Sequence, residues 1–384
     1  RWGAPHDCSR LAFLPVSRSH RHFGMQSGQL PSEDTGRFPH PQAKPCRYRP
    51  GSWPSKPCNS RERPRSACWQ RWQPLTSGFP SLNPIAVNLS GSICALATPF
   101  RNTDLDLEAF GRLIEYQIAG GTSAVVVAGS TGEGASLEAD ELVRLLEHAV
   151  RVVDGRMPVI AGSGLQSTRK TIEQTRLARN AGADLALVVV PAYVRPTQEG
   201  LFRHFQEVAD SAGLPILLYN VPSRTACDLL PETVARLSPH PAIVGIKEAV
   251  ADPLRMRELL GLRSQGFKVY SGDDATFAHA VLGGADGVVS VAANVAPNAV
   301  QDLCALAARG DAAAVQAANA RLTDLYDMLG VEPNPIPVKW LLHKLEMGSH
   351  WPRLPLLPLS AGYHSQAEQV LVRLGLLPVA PAAT

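Results

Sequence analysis

A (β/α)8 (TIM) barrel is the fold class that the sequence predicts, and three observations predict it. From residue 90 onward eight short apolar runs alternate with amphipathic stretches. The runs are apolar almost without a break, as parallel strands covered on both faces are. The rhythm fills about 220 residues, enough for one such barrel.

The predicted strands, in order, are "SICALAT" (92–98), "AVVVAG" (124–129), "PVIAG" (158–162), "LALVVVP" (185–191), "PILLYNVP" (215–222), "AIVGIKEA" (242–249), "KVYSG" (268–272) and "GVVSVAANV" (287–295). The stretches between them carry helix signals. Residues 106–119 set Leu107, Phe110, Leu113, Ile114 and Ile118 on one stripe, and Gly120-Gly121 stops it. "SLEADELVRLLEHAV" opens on Ser136 with Ala139 three residues on, so a full capping box is not expected; Glu138, Asp140 and Glu141 suit the N-terminal dipole. "TRKTIEQTRLARNAGAD" ends at Gly182 and "TQEGLFRHFQEVADSAG" at Gly213. After the barrel come helical segments near 311–328 and 336–347, the Pro-rich "HWPRLPLLPLS" and a last helix near 364–375. The organisation expected is an extension over 1–88, the barrel over 89–310 and a C-terminal helical appendage over 311–384.

The 384 residues carry a net charge of +3, which hides two opposite parts. Residues 1–90 hold 13 Lys and Arg against 4 Asp and Glu, and the remainder 24 against 30. The basic balance therefore belongs to the N-terminal segment, and the body gives no electrostatic reason to expect nucleic-acid binding. No apolar run is long enough to span a bilayer as a helix, so a membrane protein is not expected. Seven cysteines include no CxxC pair and no Cys/His cluster of zinc-like spacing, which fits a reduced, cytoplasmic protein without a structural metal. Residues 1–85 contain 13 prolines and four of the six tryptophans, with no helical or strand period. A targeting peptide, a basic aromatic nucleic-acid arm and a disordered extension translated from upstream of the true start are the three readings. The last is the expectation, since the chain opens on Arg1 and the segment has no pattern to fold around.

In a barrel of this kind chemistry sits at the C-terminal ends of the strands. The second strand ends in "GSTGEG", with Ser130, Thr131 and Glu133; the fourth in "PAYVRP", with Tyr193 and Arg195; the fifth in "YNVPSRT", with Tyr219, Asn220 and Arg224. The sixth ends in Lys247-Glu248, the seventh in "SGDD" and the eighth in "SVAAN". Each has an ordinary reading. Strand-terminal Ser and Thr usually cap turns, a Tyr there is usually core with its hydroxyl at the rim, and Asp273-Asp274 reads as a helix start. "GSTGEG" lacks the lysine and spacing of a phosphate loop, so no nucleotide is expected. Lys247 resists its ordinary reading as a salt-bridged or snorkelling residue, because it ends an apolar strand. Desolvation disfavours an ammonium, and a neutral amine attacks a ketone to form a Schiff base. That chemistry needs a proton shuttle. Tyr219 on the adjacent strand is a suitable phenol, with Ser130 and Tyr193 as relay hydroxyls.

Together "GSTGEG", "YNVPSRT", "GIKEA", "SGDD" and "VEPNPIPVKW" make residues 90–376 resemble the dihydrodipicolinate synthase / N-acetylneuraminate lyase family of class I aldolases. "YNVPSRT", "EPNPIPVK" and "RLPLLPLS" resemble its synthase branch. The resemblance implies a lyase with no cofactor, whose partners are pyruvate and aspartate semialdehyde. Lys247 would carry the pyruvate imine and Tyr219 would relay protons. Ser130 stands where the family usually has the first threonine of a pair, and it keeps the hydroxyl. Thr131 would hold the pyruvate carboxylate, Val289 would line the pyruvate pocket, Arg224 would bind the aldehyde's carboxylate, and Gly272 would present backbone to it. Tyr193 matches a tyrosine that a second subunit inserts, which implies a dimer at least and, by family, commonly a homotetramer. Ala192 replaces a second tyrosine of many members, so interlocking there should be weaker. Members inhibited by lysine hold it with residues that match Ala192, Ala139, Leu142, Gln166 and Lys170 here; Lys170 puts a cation where an acid should be, so insensitivity to lysine is expected. A pyruvate aldolase for another aldehyde, such as a 2-keto-3-deoxy sugar acid, is the alternative, and a catalytically silent barrel is a third reading.

Overall fold

The computed structural model describes residues 89–378, and the expectation for residues 1–88 lies outside the described residues. Eight parallel strands form a closed barrel: β1 Gly91–Ala95, β2 Ala124–Val127, β3 Val159–Ser163, β4 Leu185–Val189, β5 Ile216–Asn220, β6 Ile243–Glu248, β7 Lys268–Ser271 and β8 Gly287–Ser290. They pair in sequence order, and β1 closes the ring by pairing with both β2 and β8. Several strands stop short of the predicted runs. Beyond β1 the chain leaves the sheet and makes a small antiparallel ribbon, Phe100–Arg101 with Asp104–Leu105.

The barrel helices are α1 Leu107–Ala119, α2 Ala139–Val153, α3 Thr168–Asn180, α4 Gln198–Ala212, α5 Pro231–Leu237, α6 Pro253–Leu260, α7 Phe277–Leu282 and α8 Pro297–Ala308. Capping follows the sequence signals at several starts: Asp106 accepts from Ala109 N–H at 3.1 Å and Thr197 from Gly200 N–H at 3.2 Å. At α2 the expectation is corrected. Ser136 belongs to a separate short turn, Gly134–Ser136, and the helix begins after Glu138. The Glu141 carboxylate then reaches back to accept from Glu138 N–H at 3.0 Å, the reciprocal bond of a capping box.

Two apolar layers result. Ile93, Val126, Ile160, Leu217, Tyr219 and Tyr270 fill the barrel interior, while outward residues such as Val125, Leu218, Ile246 and Val269 meet the helices. Beyond residue 310 lie α9 Ala312–Ala320, α10 Thr323–Gly330, α11 Ile336–Lys344 and α12 His364–Arg373. The segment predicted near 311–328 is thus two helices, parted at Arg321-Leu322, where Leu322 turns into the core. Leu325, Met328, Val338 and Leu341 join the same core as the barrel helices, so this region packs as part of one hydrophobic body.

Candidate active site

Strand β6 delivers Lys247 by an irregular route. It pairs Ile243 with Ile216 but Gly245 with Leu217, so Val244 is an extra residue in the ladder. Ile243 and Ile246 both face the outer layer although three positions separate them, where strict alternation allows two or four. The bulge changes the parity of the strand: beyond it Lys247 pairs with Tyr219 on one side and Tyr270 on the other, and all three point inward. Gly245 permits it, because a Cβ there would lie 2.3 Å from the Lys268 carbonyl oxygen.

Lys247 is 5% exposed, and its Nζ lies 4.3 Å from the centroid of the Tyr219 ring. It makes no ion pair among the described residues. A second lysine is buried as deeply and treated differently. Lys339 is 2% exposed, and its Nζ donates to Glu133 Oε1 at 2.6 Å and to the Thr98 carbonyl at 3.0 Å. Burial pulls the Lys339 ammonium below its usual range while Glu133 opposes the shift.

Above Lys247 opens a cavity of about 280 Å³, lined by Ser130, Thr131, Tyr219, Arg224, Lys247 and Gly272. Six of the eight sequence-predicted site residues therefore meet at one place. Thr131 is buried, and its Oγ1 accepts from Asn334 Nδ2 at 3.0 Å. Arg224 sits on the short turn Pro222–Thr225 after β5 and donates to the Asn334 carbonyl at 3.0 Å. Gly272 has a tighter role than backbone display: a Cβ there would lie 2.8 Å from Lys247 Cε and 3.0 Å from its Cγ. Val289 packs in the apolar barrel interior that also holds Tyr219, and Val291 lines the cavity instead. Tyr193 is absent from this wall. It stands 89% exposed with a positive φ of 72°. A neighbouring cavity of about 460 Å³ shares Ser130, Tyr219 and Arg224 and includes Ala192 and Gln166. Lys170 and Ala139 are exposed and outside that wall, and Leu142 is buried in the core, also outside it.

Comparison with known proteins bears on this geometry. The profile of the Dihydrodipicolinate synthetase family matches residues 88–374. The chain belongs to that family. The 4-hydroxy-tetrahydrodipicolinate synthase of Stenotrophomonas maltophilia is 55% identical over 285 residues, covering 74% of this chain and 96% of the relative. Among solved structures, the chloride-inhibited dihydrodipicolinate synthase of Acinetobacter baumannii complexed with pyruvate superposes with a TM-score of 0.73 at 41% identity, covering 75% of this chain and 99% of that one. The synthase of Cyanidioschyzon merolae with lysine bound gives 0.73 at 34% identity, covering 76% and 99%.

In this dihydrodipicolinate synthetase family member three further groups adjoin the predicted residues: Glu133 and Glu248, which the sequence placed at strand ends without a role, and Asn334 of "VEPNPIPVKW". Asn334 reaches the cavity from the segment between α10 and α11, and its Oδ1 is buried with no partner among the described residues. Glu133, in the same loop as Ser130 and Thr131, pairs with Lys339 on α11 and accepts from Arg353 N–H at 2.8 Å. Glu248 is buried behind Lys247, with Arg255 Nε donating to it at 2.8 Å and Asn220 Nδ2 at 3.1 Å. Burial pushes the Glu248 carboxyl above its usual range while Arg255 pulls against the shift. Asp273 follows its ordinary reading as part of a helix start, accepting from Thr276 N–H at 3.0 Å, whereas Asp274 does not: its carboxylate accepts from Ser290 Oγ at 2.6 Å and from the Val291 and Ala292 N–H groups after β8.

Proposed function

We propose that this chain condenses pyruvate with L-aspartate 4-semialdehyde to give 4-hydroxy-tetrahydrodipicolinate, a step of lysine and diaminopimelate biosynthesis, through an imine on Lys247. The contrast between its two buried lysines carries the reading. Lys339 has a carboxylate partner at 2.6 Å and serves the fold, whereas Lys247 has none among the described residues and faces a cavity beside a phenol. A buried amine left unpaired is expensive, and such groups concentrate at functional sites.

In the reaction the neutral Lys247 amine adds to C2 of pyruvate, and the carbinolamine loses water to form the imine. Tyr219 exchanges the protons, relayed through Ser130 and a tyrosine hydroxyl. The imine withdraws electrons from C3, so a C3 proton leaves and an enamine forms without help from a metal or nucleotide. The enamine carbon attacks the aldehyde carbon, a C–C bond forms and the aldehyde oxygen takes up a proton. The amino group of the second substrate then adds to the imine carbon, expels the Lys247 amine and closes the ring. Thr131 holds the pyruvate carboxylate. Arg224 at the mouth binds the carboxylate of the semialdehyde. Tyr193 is exposed and absent from the wall of its own chain's cavity, which supports a homo-oligomer in which a second copy receives it. The described cysteines, Cys94, Cys227 and Cys304, are free and buried, which supports a reducing, cytoplasmic setting.

The test is borohydride reduction in the presence of pyruvate, followed by peptide mass analysis. A pyruvate-derived adduct on Lys247 is expected, and its absence would overturn the reading. Arg224→Ala should raise the aldehyde KM by about 10–100-fold with little change in imine trapping. An unchanged KM, with turnover of a 2-keto-3-deoxy sugar acid, would favour that substrate instead.

A further inference from the structure

We infer that Glu248, clamped by Asn220 and Arg255, both held in turn by Asp228, is a positioning residue that sets the register in which β6 presents Lys247 to Tyr219.

The need for such a residue follows from the bulge. A strand that continued regularly from Ile243 would pair Val244 with Leu217 and carry Lys247 to the outer face, against the helices. The extra residue at Val244 avoids this, but a bulge is also where a ladder can slip by one. The apolar residues of β6 resist a slip weakly, because both barrel layers accept aliphatic side chains. Glu248 is different in kind. It pairs with Asn220 across the β5–β6 ladder, one position past the Tyr219–Lys247 pair. Its Oε2 accepts from Arg255 Nε at 2.8 Å, its Oε1 accepts from Val250 N–H at 2.8 Å, and Asn220 Nδ2 lies 3.1 Å from both oxygens.

The donors are themselves fixed. Asn220 Oδ1 accepts from Leu229 N–H at 2.9 Å, so its amide is turned with Nδ2 toward the carboxylates. The same Nδ2 donates to Asp228 Oδ1 at 2.8 Å, and Arg255 grips Asp228 with both terminal nitrogens at 2.9 and 2.8 Å. A slip of one residue in either direction would take the fully buried carboxylate away from Asn220 and Arg255, and only the local Val250 N–H would travel with it. The clamp thus penalises wrong registers, and the residue it holds is the neighbour of Lys247.

The inference rests on the pyruvate-imine reading above, and the experiment separates the two. Full-length wild type, Glu248→Ala, Glu248→Gln and Arg255→Ala are compared for the rate of pyruvate-dependent borohydride trapping on Lys247, for kcat and for aldehyde KM. Both alanine variants should lose about 100-fold in trapping and in kcat, the scale of an ångström misplacement, with aldehyde KM held within about twofold. Glu248→Gln keeps an acceptor for Arg255 and should recover about tenfold of the loss. Arg255→Ala leaves the strand untouched and keeps the test open should Glu248→Ala fail to fold. Trapping in Arg255→Ala within about twofold of wild type overturns the inference, as does a Glu248→Gln chain no faster than Glu248→Ala. No adduct on wild-type Lys247 would instead sink the imine reading itself.

Discussion

A methyl group at position 272 would meet Lys247 Cε at 2.8 Å, closer than real Cβ contacts come. The lysine stem is flexible, so it would move rather than the sheet, and the amine would leave its place over the Tyr219 ring. Gly272→Ala should therefore slow imine trapping by about 10–100-fold while changing stability by less than about 1 kcal/mol. Trapping rate and a thermal melt check it; a wild-type rate in a folded variant would show that the wall has room to spare. In the sequence this glycine was legible only through the family resemblance, as a contributor to the aldehyde site. Its contact with Lys247 depends on how β6 and β7 pair, which no local pattern records.

Among the elements, the eight strands were readable because parallel strands covered on both faces are apolar throughout, and the helices because their stripes and caps are local. What stayed hidden is non-local. The bulge at Val244 is set by the register with β5, and a run such as "AIVGIKEA" looks the same with or without it. Asn334 comes to Thr131 from 203 residues away, and the dipeptide Asn-Pro announces only a turn. The α3–α4 pair shows the same limit. His204 passes in the sequence for one polar residue of an amphipathic helix, yet it is buried between these helices, with Nδ1 2.9 Å from Thr168 Oγ1. Burial pushes its imidazole from the usual 6.5 down to about 4. As pH falls below 6.5 the unfolded chain takes up this proton and the folded chain does not, so stability is lost toward about 4. Urea unfolding at pH ~7 and ~5 should show wild type losing about 2 kcal/mol more than His204→Gln over that step. Equal losses in the two chains would mean that His204 is protonated at little cost in the fold.

For the whole molecule, the unresolved demand is the one that Tyr193 makes. It is 89% exposed, its neighbour Val194 is 51% exposed, and both Tyr193 and Arg195 have positive φ. Positive φ is strained for bulky side chains, and strain of that kind persists where surrounding structure or function holds it. Within one chain the proposed relay has Ser130 on the cavity wall and no hydroxyl from Tyr193 beside it. An isologous dimer would supply the missing group in both directions at once. Complementation tests this directly. Lys247→Ala subunits keep Tyr193, and Tyr193→Phe subunits keep Lys247, so a mixed dimer assembles one complete site only if the tyrosine crosses between chains. Each variant alone should be nearly inactive, and an equal mixture after subunit exchange should recover about a quarter of wild-type activity, half the dimers being mixed and each carrying one working site. Activity that stays at the sum of the separate variants, with exchange verified by mass, would place Tyr193 outside the relay and leave Ser130 and Tyr219 to move the protons within one chain.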